Sequence, residues 1–327
     1  MKVAVVGGGS WGTTLAAHLV RIGHEATLIV RDARRRDELA AGRENPRYLP
    51  GVVLPDALRI ECGFETARGA AMVVVAIPSE SFRGVCRSLA PALAARPALV
   101  SATKGLEVDT LRRMSEVASE EAPGLEVAVL SGPSFALEVA QGQPTAVVVA
   151  SAHAAVAEAV QQAFANPTFR VYSSDDVVGV ELAGALKNVI AIAAGIVDGL
   201  GYGQNTVAAL ITRGLAEIGR LGVALGGRAE TFSGLAGLGD LVLTATGSLS
   251  RNRKLGRVLG AGRSLDEAVR ETVMVAEGVR TTRAACALAE RARIEMPIAE
   301  QMRAVLYEGR SPREAVDALM IRSLKRE

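Results

Sequence analysis

Short apolar runs separated by amphipathic stretches dominate the first part of this chain, and long, nearly all-apolar helical stretches dominate the rest. Lys2–Val6, Ala26–Val30, Ala71–Pro78, Ala98–Ser101, Val127–Leu130 and Thr145–Val149 carry few polar residues. Runs of that kind, without alternation, read as strands buried on both faces. Helical spacing over Leu106–Glu120 and Ala154–Phe164 separates several of them, which predicts a parallel sheet covered by helices. Phe169–Tyr172 reads as a final strand. Beyond about Asp176 no convincing strand occurs, and Val177–Asp198 is apolar nearly all round, the mark of a helix buried between other elements. The expected architecture is α/β: an N-terminal Rossmann-type, doubly wound sheet over residues 1–180 and an all-helical domain over residues 181–327. No fixed-period repeat is present.

The chemistry begins at Gly7-Gly8-Gly9-Ser10-Trp11-Gly12, which spells G-x-G-x-x-G directly after the first apolar run and before a helical stretch, Thr13–Val20. At such a strand-to-helix turn Gly7 permits the tight turn, Gly9 lets backbone approach a pyrophosphate, and Gly12 lets the helix pack on the strand. The helix N-terminus adds unpaired N–H groups, so a dinucleotide is the expected ligand. After the next strand, where a carboxylate commonly meets a ribose 2′-hydroxyl, the chain has Arg31, followed by Asp32 and then Arg34-Arg35-Arg36. A cation there suits the extra phosphate of NADPH. Arg34 to Arg36 read equally well as a solvated basic helix start, and Asp32 keeps NADH open.

Length and composition narrow the rest. A chain of 327 residues, about half of them apolar, is long enough for two cores. The formal charge of +2 and the 3% aromatic content leave no basic stripe or base-stacking platform, so no nucleic-acid partner is expected. Cys62, Cys86 and Cys286 are far apart and lack metal-site spacing, which fits a reducing cytoplasm and no metal. The glycines of Gly7–Gly9 interrupt the N-terminal apolar stretch, which excludes a secretory signal there, and no membrane span is expected elsewhere.

Within the long apolar stretch, Lys187 has Ala183, Gly184 and Ala191 about one turn away, so no helical salt bridge is available to it. Small neighbours leave room for a ligand, and burial would favour loss of its proton, as a general acid or base requires. A structural, snorkelling lysine is the alternative.

Ser101-Ala102-Thr103-Lys104-Gly105, Ser131-Gly132-Pro133-Ser134-Phe135-Ala136, Gly179 to Asn188, Gly237-Leu238-Gly239-Asp240-Leu241 and Ser250-Arg251-Asn252-Arg253 occur in that order. Together they resemble the bacterial type of NAD(P)-dependent glycerol-3-phosphate dehydrogenase, over essentially the whole chain. The resemblance implies reversible reduction of dihydroxyacetone phosphate to sn-glycerol 3-phosphate with NADPH or NADH, supplying the backbone for phospholipid synthesis in the cytoplasm. It implies Lys187 as the proton-transferring residue and Lys104 as a second active-site lysine, contacting cofactor and substrate. Asp240 would hold the Lys187 ammonium, with a helix cap as its bland alternative. Asn188 would orient substrate hydroxyls or make a structural bond.

Ser250, Arg251 and Asn252 would bind the substrate phosphate at a helix start, where a guanidinium fork, side-chain donors and the helix dipole all favour an anion. The same resemblance places Gly132 and Ser134 on substrate. It places Ala136, Ser10, Trp11, Arg251, Val275 and Glu277 on cofactor. Gly8 stands where the family commonly has alanine, and Val207 where many members have lysine. A homodimer is the oligomeric state left open. Two alternatives are a lysine-dependent dehydrogenase of a 3-hydroxy acid, which would not need the phosphate cradle, and a nucleotide-sensing module without chemistry, which would not need both lysines. His18, His24 and His153 read as structural.

Overall fold

The computed structural model describes residues 1–271 and 276–323. The chain divides into two compact units, Met1–Glu107 with Arg112–Glu181, and Val108–Leu111 with the chain from Leu182 onward.

The first unit is built on β1 (Lys2–Val6), β2 (Glu25–Val30), β3 (Glu44–Asn45), β4 (Leu49–Val53), β5 (Arg59–Cys62), β6 (Met72–Val75), β7 (Ala98–Ser101), β8 (Val127–Ser131), β9 (Thr145–Ser151) and β10 (Phe169–Ser174). Eight of these form one sheet in the order β10-β9-β8-β7-β6-β1-β2-β5, and β3 pairs with β4 separately. Along β1, Val3 and Val5 enter the core on one face while Ala4 and Val6 enter the core on the other. The helix Ser10–Arg21 covers the first face through Leu15 and Leu19; Ser79–Leu89 covers the second through Phe82 and Cys86. That double burial explains the unbroken apolar runs. Strand order reverses between β1 and β6, so the crevice at their carboxyl ends is the topological switch point where such sheets bind ligands.

Three features differ from expectation. β9 runs antiparallel to β8, because the intervening chain forms only the short helix Ala136–Ala140 and returns from the carboxyl end of β8. An apolar run reads the same in either direction. Where helix is expected over Leu106–Glu120, it forms only from Met114 to Glu121. Ahead of it the Glu107 N–H donates to the Arg112 carbonyl at 2.9 Å, and Leu111 takes a left-handed φ of 60°, a reversal suited to the preceding Asp109-Thr110. The short β3, β4 and β5 have no continuous apolar run to announce them, and prolines at 46, 50 and 55 punctuate that segment.

Among the described residues from Leu182 onward, the second unit's regular elements are all helices. Its longest helix, Val177–Gly199, begins in the first unit's residues and is long and apolar enough to cross a membrane by composition. Its most apolar window is wholly buried within the protein. Gly195 and Gly199 meet Gly256 and Gly260 of the helix Arg251–Gly260: a Cβ on Gly195 would lie 2.1 Å from the Arg253 carbonyl oxygen, and one on Gly256 would lie 2.0 Å from that of Ile192. The two backbones therefore touch directly.

Glu217, on the helix Gln204–Ala224, is buried and accepts from the Ile298 N–H at 2.9 Å, capping Pro297–Tyr307 from outside its own sequence. Burial pushes its carboxyl up to about 7 from an ordinary 4.5, against the hydrogen bonds from Ile298 and Ala299. The folded state thus holds the proton that the unfolded chain releases as pH rises from 4.5 toward 7. Stability falls across that window, by about 3 kcal/mol in total, and levels off above it. Urea unfolding at about pH 5 and about pH 8 should show this loss in the parent and lose most of it in Glu217→Gln. Equal losses in both proteins would place the pH dependence elsewhere.

Candidate active site

At the crevice in the first unit, β1 ends at Val6 and the helix Ser10–Arg21 starts with Gly9 as its cap, without a side-chain hydrogen bond. Gly7 has φ +124°, and a Cβ there would lie 2.3 Å from the Ala76 carbonyl oxygen; a Cβ on Gly12 would lie 2.0 Å from that of Gly7. Both must be glycine. Around the Cβ direction of Gly9 nothing lies within 4 Å. Tight glycines on either side of an open one, leading into a helix start without a side-chain cap, fit a pyrophosphate laid against the backbone. Ser10 and Trp11 open that helix. Trp11 packs its ring against the sheet core, and its indole N–H is buried without a hydrogen-bond partner.

Arg31 follows β2, its side chain 87% exposed, with Nε 3.2 Å from Asp32 Oδ2. Asp32 is the N-cap of Ala33–Gly42 and accepts the Arg35 N–H at 2.9 Å. The Arg35 amide, followed by Arg31, holds the Asp32 carboxyl below its ordinary range. Asp32 is therefore committed as a cap, which weakens the case for its reaching a ribose. The basic stretch also divides: Arg35 is turned inward onto Asn45 and Glu38, and Arg36 pairs with Asp37.

Further along the same sheet edge, the loops after β7 and β8 converge on one carbonyl. Lys104 Nζ donates to the Gly132 carbonyl at 2.8 Å and Ser134 Oγ donates to it at 2.9 Å. Gly132 has φ +122°, and a Cβ there would press on the Cα of Val147 at 3.0 Å. The Ala136 carbonyl accepts from Thr14 Oγ1 at 3.0 Å, tying this loop to the glycine-loop helix. Lys104, Gly132, Ser134 and Ala136 thus lie together. Thr14 was missed because its partner is remote in sequence.

In the second unit Lys187 is buried, 5% exposed, and its Nζ donates to Asp240 Oδ1 and to Thr244 Oγ1, each at 2.6 Å. The Thr244 hydroxyl in turn donates to Asp240 at 3.3 Å. The carboxylate stabilises the ammonium form that burial disfavours. Asp240 is delivered by a π-helical turn, Leu235–Gly239, in which the Gly239 N–H donates to the Gly234 carbonyl. A Cβ on Gly237 would collide with the Phe232 backbone at 2.0 Å, so that turn needs glycine. Asp240 is the first residue of Asp240–Thr246, whose N-cap is Gly239 without a side-chain cap bond, so its carboxylate serves Lys187 and Thr244 and not the cap. Thr244 was missed, although its i,i+4 spacing from Asp240 marks a shared helix face.

Ser250 caps Arg251–Gly260, accepting from the Arg253 N–H at 3.2 Å. Arg251 is exposed by area yet close enough to protein that crowding lowers its pKa, while the Glu277 carboxylate opposes the shift. A guanidinium remains charged regardless. The Asn252 amide is engaged at both ends, donating to Asn188 Oδ1 at 2.9 Å and accepting from the Gly278 N–H at 3.0 Å. These two side chains are stitches between helices, and the stitching uses the Asn252 carbonyl oxygen and one of its two Nδ2 protons. Glu277 begins Glu277–Ala292; Val275 lies outside the described residues. His18 Nε2 sits 2.7 Å from the Phe164 carbonyl oxygen, a structural contact. Among the described residues no cluster of His, Cys, Asp and Glu could hold a metal ion.

Residues 2–157 match the profile described as NAD-dependent glycerol-3-phosphate dehydrogenase N-terminus, and residues 176–317 match the corresponding C-terminus. Among curated proteins the chain is 54% identical to glycerol-3-phosphate dehydrogenase (NAD(P)+) of Nitratidesulfovibrio vulgaris, covering 100% of each. Among solved structures it is similar to glycerol-3-phosphate dehydrogenase from Coxiella burnetii, with a TM-score of 0.95, 42% identity, and 98% and 99% of the two chains covered. The Saccharomyces cerevisiae glycerol-3-phosphate dehydrogenase aligns with a TM-score of 0.82 at 28% identity, covering 97% of this chain and 98% of that one.

Proposed function

This chain belongs to the NAD-dependent glycerol-3-phosphate dehydrogenase family, and we propose that it interconverts dihydroxyacetone phosphate and sn-glycerol 3-phosphate in the cytoplasm, supplying phospholipid synthesis. The observation that carries the reading is the buried constellation of Lys187, on the long and mostly apolar helix Val177–Gly199, with Asp240 and Thr244 of Asp240–Thr246. A reduced nicotinamide supplies a hydride to the ketone carbon. Lys187 gives a proton to the carbonyl oxygen as negative charge develops there, and takes it back in the reverse direction. Asp240 and Thr244 hold the ammonium in place. Lys104, fixed on the Gly132 carbonyl, adds positive charge toward the reacting oxygen, and Ser134 borders the same ligand. Ser250, Arg251 and Asn252, with the backbone N–H groups of that helix start, receive the phosphate.

In this reading residues 1–180 are the dinucleotide-binding part and residues 181–327 the substrate part. Gly7, Gly9, Ser10, Trp11 and Gly12 take the pyrophosphate, Ala136 the nicotinamide side, and Arg251 and Glu277 the cofactor's far edge. Arg31 selects NADPH. Arg31→Glu should weaken NADPH by about tenfold or more while changing NADH little, because only the former places a phosphate beside the reversed charge. Dissociation constants for both cofactors check this, and an equal loss would place Arg31 away from the ribose.

The deciding experiment is a steady-state assay of the purified protein with dihydroxyacetone phosphate and each reduced cofactor, followed by loss of nicotinamide absorbance. Turnover of the phosphorylated ketone is expected. Turnover of a 3-oxo acid instead would favour the hydroxy-acid alternative, and binding without turnover would favour a sensing module.

A further inference from the structure

Asn45 is fully buried, at 0% exposure, at the end of β3, and its side chain has partners on three separate segments. Nδ2 donates to the Gly8 carbonyl at 3.1 Å and to Thr13 Oγ1 at 2.8 Å, the first in the glycine loop and the second on the helix that follows it. Oδ1 accepts from the Arg35 guanidinium and from the Tyr48 N–H. Both amide protons and the carbonyl oxygen are therefore used, as a buried amide requires.

Arg35 is held from the other side as well. Its Nη1 pairs with Glu38 at 2.8 Å, its guanidinium lies over the Tyr48 ring, and its backbone N–H is the one that Asp32 caps. Arg35 thus anchors the first turn of Ala33–Gly42, the turn that follows Arg31. Asn45 is the side chain that joins this turn to the glycine loop.

We propose that Asn45 is a positioning residue for the dinucleotide. It holds the loop that takes the pyrophosphate and the helix start that takes the ribose 2′-phosphate in a single register, and so contributes to the preference for NADPH over NADH. The inference rests on the cofactor reading given above. A dinucleotide must engage both places at once, so a change in their spacing costs affinity although neither grip has lost a contact group. The cost falls more heavily on NADPH, since NADH has nothing at the 2′ position to misplace.

Binding can be read without turnover from the fluorescence of Trp11, the chain's one tryptophan, which lies in the glycine-loop helix. The quantity of interest is the NADH dissociation constant divided by that for NADPH. Asn45→Ala should lower this ratio at least about threefold relative to the parent while kcat at saturation stays within about twofold. Arg35→Lys leaves every bond of Asn45 to the glycine loop in place and retains the charge, but loses the planar fork. It should lower the ratio in the same direction, and it carries the test if Asn45→Ala does not fold. Asn45→Asp keeps the acceptor for Arg35 and loses both donations to the glycine loop, so it cuts the same join from the other side and should lower the ratio in the same direction. An unchanged ratio in Asn45→Ala, or in Arg35→Lys where the former does not fold, overturns the proposal. A parent that binds neither cofactor would overturn the dinucleotide reading itself.

Discussion

Lys187→Met should lose roughly 100-fold or more in kcat while retaining its affinity for the nicotinamide cofactor, because it removes the proposed proton donor and leaves the glycine loop untouched. The variant has a second consequence that must be separated from the first. Asp240 is 1% exposed and bonded to Nζ at 2.6 Å, so deleting the ammonium strands a buried carboxylate. That costs about 3–5 kcal/mol of stability. The double substitution Lys187→Met with Asp240→Asn removes both charges and should recover most of the lost unfolding free energy, but none of the lost turnover. A double variant that regains turnover along with stability would show that Lys187 serves the fold rather than the proton.

Arg251→Ala should reduce kcat/KM for dihydroxyacetone phosphate by about 2 kcal/mol or more, close to thirtyfold, through loss of a charge-assisted contact to the phosphate. The phosphate does not react. Its binding holds the ketone in place, so part of the loss should appear in kcat as well as KM. Unphosphorylated dihydroxyacetone has no such group to lose and should be almost unaffected. The ratio of kcat/KM for the two ketones, measured in parent and variant, is therefore the informative number. A constant ratio would move Arg251 off the phosphate. Because Asn252 is tied to Asn188 and Gly278 through its side chain, Asn252→Ala would also loosen the joining of three helices.

The glycine loop could be read from the chain because its chemistry is local: a strand, a spacing of glycines and a helix start, all within residues 2–21. Lys187 stood out for a similar reason, as a cation on an apolar helix with no carboxylate one turn away. Thr244 did not stand out, since a threonine in a short helix becomes significant only when a lysine 57 positions earlier arrives beside it. The amides of Asn188 and Asn252 were visible, but their partners on other helices were not. Asn45 lies in a stretch of prolines and polar residues whose strands are too short to show a period, so its burial depends on the hairpin and sheet edge around it. The direction of β9 was likewise beyond an apolar pattern, which records burial and not polarity of the chain.

The direct backbone contact between Val177–Gly199 and Arg251–Gly260 also limits how this protein can vary. Where two helices meet through side chains, a larger residue on one can be answered by a smaller one on the other, and a lineage can drift through such pairs. At Gly195 and Gly256 the obstacle is the main chain of the opposite helix, which no substitution can trim. The helix start proposed to receive the phosphate is thereby attached to the lysine-bearing helix at positions where compensating replacement is closed, so under that proposal novelty in substrate recognition has to come from the residues around Ser250 and not from a shift of the helix that carries them.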